Sequence, residues 1–198
     1  MNYLAHAWLS FNDPDILAGN MISDFVKGKK KFDYPLSIQK GITLHRAIDE
    51  FTDAHPVTKQ AMVYFKADYR LYSGAFIDIV YDHFLANDKN EFKNEQALEQ
   101  FCNLTYTALE NNFVQLPLKF QQMLPYMKQQ NWLYNYRFRP GIERSFGGLV
   151  KRAVYLTECA VAFQIFNDHY NALNDCYHSF FPLLKEFAIY RLAELNEG

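Results

Sequence analysis

Four polar pairs, each spaced four residues apart, interrupt otherwise apolar stretches in the first ninety residues: Asn2 and His6, Asn20 and Asp24, His45 and Asp49, Asp78 and Asp82, with His83 directly after the last. That spacing brings two side chains onto one face only when the backbone is helical. Each pair is flanked by Leu, Ile, Val, Phe or Tyr, so part of each face is expected to be buried, where a carboxylate without a partner is costly. The spacing therefore predicts helices, and the burial predicts that these polar groups satisfy one another or a shared cation.

The rest of the chain follows the same period. Its 198 residues hold only 8 glycines and 7 prolines, and apolar residues recur at three- and four-residue spacing with little alternation, so the expected fold is all-α, a single-domain helical bundle spanning 1–198. Asp13-Pro14 reads as a cap and first turn for a helix carrying "DILAGNMISDFV" to Gly28, with a lysine-rich loop after it. A helix from Pro35 must stop before Pro56, which starts another. Further helices are predicted over "GAFIDIVYDHFLAND", "NEQALEQFCNLTYTALENN" and "LKFQQMLPYMKQQ", and the last forty residues read as a long terminal helix kinked at Pro182. Gly141, Gly147 and Gly148 make "NWLYNYRFRPGIERSFGGL" the expected site of irregular backbone.

Composition narrows the function classes. A net charge of −2 lacks the basic excess of a nucleic-acid binder. Three cysteines far apart suggest reduced thiols, and with neither a leader nor a long apolar run the expected location is cytoplasmic, away from the membrane. The run "KGKKK", holding Lys27, Lys29, Lys30 and Lys31, is either a solvated loop or a contact for an anion or acidic partner.

Arg46 is the one arginine before Arg70, so a single guanidinium would face Asp24, Asp49, Asp78 and Asp82 if they converge. A divalent cation balances such a set better, although His6 also fits a hydrogen-bonded core position and Asp49 a simple pair with Arg46. Mixed histidine and aspartate ligands suit Mn²⁺, Fe²⁺, Zn²⁺ or Mg²⁺. No Glu stands three residues before a histidine, and phosphate-binding glycine loops, serine elbows and paired-cysteine zinc spacings are absent from the sequence. What remains is hydrolysis by a metal-held water, with Arg46 or Lys27 neutralising a phosphate. The phosphoester is open at this level, a nucleotide included, and so is a non-catalytic helical module that binds an acidic partner.

The stretches "MNYLAHAWLS", "GNMISDFVKG", "GITLHRAIDEFTDAHP" and "IDIVYDHFLA", with "HYNAL" and "FFPLL" near the end, resemble the bacterial acyl carrier protein phosphodiesterases in order along nearly the whole chain. The resemblance implies an all-helical domain distantly related to the His-Asp metal phosphohydrolases. It further implies Mn²⁺- or Mg²⁺-dependent hydrolysis of the phosphodiester joining 4′-phosphopantetheine to a serine of holo-acyl carrier protein. At matching positions, Asp24, His45, Asp49, Asp78, Asp82 and His83 are the implied metal residues, with His6 beside them. Asp24, His45, Arg46, Asp49 and His83 are the implied catalytic set, and Asn20, Lys27 and Arg46 are expected at the phosphate. No histidine here is followed by aspartate, so the larger superfamily's signature is missing. The acidic carrier protein gives Lys29, Lys30 and Lys31 a role as its contact. Tyr and Trp side chains of "NWLYNYRF" are candidates to line a channel for the pantetheine arm.

Overall fold

The computed structural model describes residues 1–197, and among them eleven α-helices and no strand are found. The expected all-α class holds. Asp13 caps α2 (Pro14–Ile22) by accepting from the amides of Asp15 and Ile16, and Pro14 sits where its missing N–H costs nothing. Every α2 residue from Ile16 to Ile22 is buried, because α2 is packed against α3 (Leu36–Ala54) on one side and α6 (Glu95–Asn111) on another. A helix surrounded in this way has no wet face and needs no polar stripe.

Around this centre, α4 (Pro56–Tyr69) packs on α5 (Ser73–Asn87), and the 28-residue α11 (Tyr170–Glu197) lies across α3 and α4. Pro182 is accommodated within α11. The short α1 (Tyr3–Trp8) is wedged between α2 and α5, which brings the start of the chain into the middle of the fold. Helices α7 (Leu118–Gln129), α8 (Trp132–Asn135), α9 (Arg139–Arg152) and α10 (Ala160–Asp168) close one side, where Phe65 stacks on Phe76 and Phe146 meets Phe76 and Phe166 edge-on.

Three expectations change. The single helix expected over the last forty residues is two, α10 and α11, meeting at His169. The helix expected to run to Gly28 stops at Ile22 and tightens into a 3-10 turn over Ser23–Phe25, followed by a second 3-10 run over Gly28–Asp33. Asn20 and Asp24 consequently do not share a face: Asn20 is fully buried, while the Asp24 side chain is 76% exposed. The stretch expected to be irregular is so only in its first part, at the left-handed Asn131 and the turn over 136–138, while its three glycines lie in the regular helix α9, with Gly141 closing on the Asn135 carbonyl. Irregular backbone also follows α9, across 153–159.

Helices α2 and α3 approach each other backbone to backbone through a pair of glycines. A Cβ on Gly19 would lie 2.1 Å from the Ile38 carbonyl oxygen, and one on Gly41 would lie 2.3 Å from that of Ile16. Both neighbours are main-chain atoms, so the helices would have to separate. Gly41→Ala is expected to lower stability by about 2 kcal/mol, read as a drop of roughly 4–8 °C in melting temperature. Gly148→Ala, at a helical glycine whose added Cβ would meet nothing within 4 Å, is expected to hold or raise it.

Candidate metal centre

The close packing of α2 on α3 sets up the most unusual polar arrangement in the protein. Asn20, fully buried on α2, touches both nearby imidazoles. Its side-chain oxygen is 2.8 Å from His6 Nδ1, and its main-chain carbonyl is 2.7 Å from His45 Nδ1. Asn20 Nδ2 donates to the His6 carbonyl and to Ser10 Oγ, which fixes the amide so that its oxygen faces His6. Both acceptors are oxygens, so each histidine donates from Nδ1 and its neutral form carries the lone pair on Nε2.

Those two Nε2 atoms are buried and have no aligned hydrogen-bond partner. The rings stack with centroids 3.8 Å apart and 14° between planes. Asp49 reaches between them, with one oxygen 3.2 Å from His6 Nε2 and the other 3.0 Å from His45 Nε2. His6, His45 and Asp49 each offer one ligand atom, all within 4.8 Å of one another. Asp24 approaches from the solvent side, 3.4 Å from His45 Nε2. Ligand atoms at about 2.1 Å from a common cation, at right angles to each other, stand roughly 3 Å apart. The donor set thus fits a divalent cation, with two oriented imidazoles, a carboxylate between them and an open side at Asp24.

The electrostatics agree. Burial and the neighbouring His45 push the His6 imidazole down to about 4, which keeps it neutral. Burial opposes charge on His45 as well, but the Asp24 and Asp49 carboxylates close to its Nε2 carry it up to about 9. Asp49 is held below the usual carboxylate range: burial works against its charge, and the Met1 amine and the histidines more than compensate. The site therefore concentrates negative charge around a point where the protein supplies a proton or a cation.

The remaining expected ligands lie elsewhere. Asp82 is fully buried on α5 and accepts from the amides of Leu4 (2.7 Å), Ala5 (3.2 Å) and Asn2 (3.3 Å), so its carboxylate is the anion at the N-terminus of α1. Burial pushes it up to about 7 against the downward pull of those amides. Asp78, one turn earlier, is 2.9 Å from the Met1 amine, which also touches Asp49 at 3.2 Å. It borders the centre through that amine. His83 donates from Nδ1 to the Tyr136 carbonyl at 2.7 Å and meets the Tyr170 hydroxyl at 3.0 Å through Nε2, among Phe84 and Phe166. Both of its nitrogens are occupied, and burial lowers it to about 4.

Of the residues expected at the phosphate, Asn20 is buried behind the histidines and orients them, so it has no free edge for an anion. Arg46 is exposed beside His45 and donates to the Val26 carbonyl at 2.7 Å, tying the segment with Asp24 and Lys27 to α3. Lys27 is exposed on that segment. The double role of Asn20 could not be read from its spacing, because one of its two contacts is made by the main chain.

Among known proteins, residues 1–184 match the family model described as acyl carrier protein phosphodiesterase. The acyl carrier protein phosphodiesterase of Yersinia pestis is 33% identical over 184 residues, covering 93% of this chain and 95% of that protein. Those of Photorhabdus laumondii subsp. laumondii and Pectobacterium atrosepticum are each 31% identical over 188 residues, covering 95% of this chain and 95% and 97% of theirs. No solved structure matches, so the expected kinship with His-Asp phosphohydrolases gains no structural counterpart. The geometry separates two kinds of aspartate by experiment: Asp49→Ala is expected to abolish stoichiometric Mn²⁺ binding in elemental analysis, while Asp82→Asn retains it and lowers the melting temperature.

Proposed function

The chain belongs to the acyl carrier protein phosphodiesterase family, and from that premise we propose that it hydrolyses the phosphodiester between 4′-phosphopantetheine and a serine of holo-acyl carrier protein, using a divalent cation, Mn²⁺ or Mg²⁺. The observation that supports the cation is the pair of buried, unpartnered Nε2 atoms on His6 and His45 with Asp49 between them. His6, His45 and Asp49 would hold it, and Asp24 would join from the open side. When bound, such a cation supplies charge neutralisation for the phosphate and a water acidic enough to react near neutral pH.

The chain's own residues do the rest. Asn20 keeps both imidazoles in the tautomer that presents Nε2, so no reorganisation is needed when substrate arrives. The exposed Asp24 carboxylate orients the attacking water by accepting a hydrogen bond. Arg46 has guanidinium donors beyond the one used on Val26, and with Lys27 it offsets the phosphate charge. Water oxygen bonds to phosphorus and the bond from phosphorus to the serine oxygen breaks. That oxygen takes up a proton, and the products are apo-carrier protein and 4′-phosphopantetheine. None of these steps uses Asp78, Asp82 or His83 directly.

The substrate is an acidic protein, so it needs a surface as well as a site. Lys29 and Lys30 are exposed and Lys31 half-buried on the 3-10 run directly after Asp24, and among the described residues no carboxylate pairs with them. Phe32, 63% exposed beside Lys31, adds an apolar contact to the cationic one.

Mass spectrometry of holo-acyl carrier protein incubated with the protein and Mn²⁺ is expected to show loss of the phosphopantetheine arm, abolished by chelator and by Asp24→Ala. An unchanged carrier mass with active metal present refutes the assignment. Replacing Lys29, Lys30 and Lys31 together by Glu is expected to cut kcat/KM on the carrier by about tenfold or more, with a loss that shrinks as salt rises. An equal loss on a small phosphodiester refutes the contact.

A further inference from the structure

A cavity of about 150 Å³ opens next to the metal centre, between the first residues of the chain and α9. One wall is a single face of that helix. Gly141, Arg144, Ser145, Gly148 and Arg152 fall at the three- and four-residue spacings of a helical stripe, and all five line the cavity. This stripe carries no large apolar side chain, and beyond Gly141, which packs on Asn135, its residues are available to the cavity. The opposite wall comes from Tyr3, Trp132 and Asn135. The mixture is amide and hydroxyl groups, aromatic surface and two guanidinium groups, and among the described residues neither Arg144 nor Arg152 is ion-paired.

The cavity and the metal centre share a boundary. Asn2 and Tyr3 line the cavity, and the Met1 amine next to them touches Asp49. The Tyr3 phenol, which lines the cavity, feels both the Asp24 carboxylate and the Arg152 guanidinium. Eight residues separate Arg144 from Arg152, roughly 12 Å along the helix, so the stripe is long enough to follow an extended chain leading away from the reacting phosphate.

We propose that this cavity receives the amide-bearing arm of the substrate, with Arg152 meeting the phosphate end and Arg144, Asn135 and Ser145 meeting the amides. The inference rests on the function proposed above. An extended pantetheine chain offers two amide groups, which need donors and acceptors, and a dimethyl-bearing carbon, which needs an apolar surface such as Trp132. Gly148, midway along the stripe, leaves room for that chain to lie against the helix. The cavity would thereby distinguish a carrier that bears the arm from other phosphodiesters of equal charge.

Gly148 also provides the test. Its added side chain would enter the cavity, because nothing stands within 4 Å of the Cβ position. Wild type and Gly148→Phe are compared with Mn²⁺ on holo-acyl carrier protein and on bis(p-nitrophenyl) phosphate. The expected result is that the ratio of kcat/KM on carrier to kcat/KM on the small ester falls by about tenfold or more. An unchanged ratio with wild type active on the carrier overturns the cavity assignment alone. Wild type that leaves the carrier intact overturns the function, and this inference with it. If Gly148→Phe melts below wild type, Arg144→Gln carries the same comparison, with a raised KM for the carrier as the expected result and an unchanged KM refuting the assignment.

Discussion

The contact between Gly19 and Gly41 governs the rest of the site. Their Cα atoms face each other without side chains, so the main chains of α2 and α3 approach more closely than packed side chains would allow. Only at that separation can the carbonyl of Asn20 on α2 reach the imidazole of His45 on α3. The next residue after Gly19 thus becomes a bridge between two helices and, through His6, a third. Packing geometry and ligand geometry are the same fact here, because the helix that is buried on all sides is also the one that orients both histidines.

The aspartates that looked alike in sequence divide by what they face. Asp82 meets three main-chain amides and settles the start of α1, which carries His6. Asp78 meets the amine of Met1. Asp49 and Asp24 face imidazole nitrogens, Asp49 half-buried and Asp24 open to solvent. The first two spend their charge on positioning the chain, and the second two keep theirs directed at a shared point. A buried carboxylate tolerates its position only with such partners, so the partners, and not the residue type, assign the role.

Much of this was legible in the sequence. Helix spacing, the Asp13-Pro14 start and the stop before Pro56 are local signals, and they place α2, α3 and α4 closely. The pair His45 and Asp49 is also local, a single turn of one helix, and the structure keeps it together. The pair Asn20 and Asp24 failed because a switch from α to 3-10 geometry at Ser23 has no strong residue signature. His83 stands beside Asp82 in sequence, but neighbouring residues on a helix point about 100° apart, which sends it to Tyr136 and Tyr170 instead. The glycines of α9 suggested loose backbone, whereas the spacing of Gly141 and Gly148 with Arg144, Ser145 and Arg152 marks one bare helical face.

The way Asn20 holds its two histidines makes them unequal under mutation. His6 is held by the side chain at position 20, so any substitution there can release it. His45 is held by the main-chain carbonyl, which every amino acid supplies. Drift at position 20 therefore reaches only one of the two imidazoles. A lineage reshaping this centre would find His6 the adjustable member of the pair, with His45 kept as a constant of the backbone.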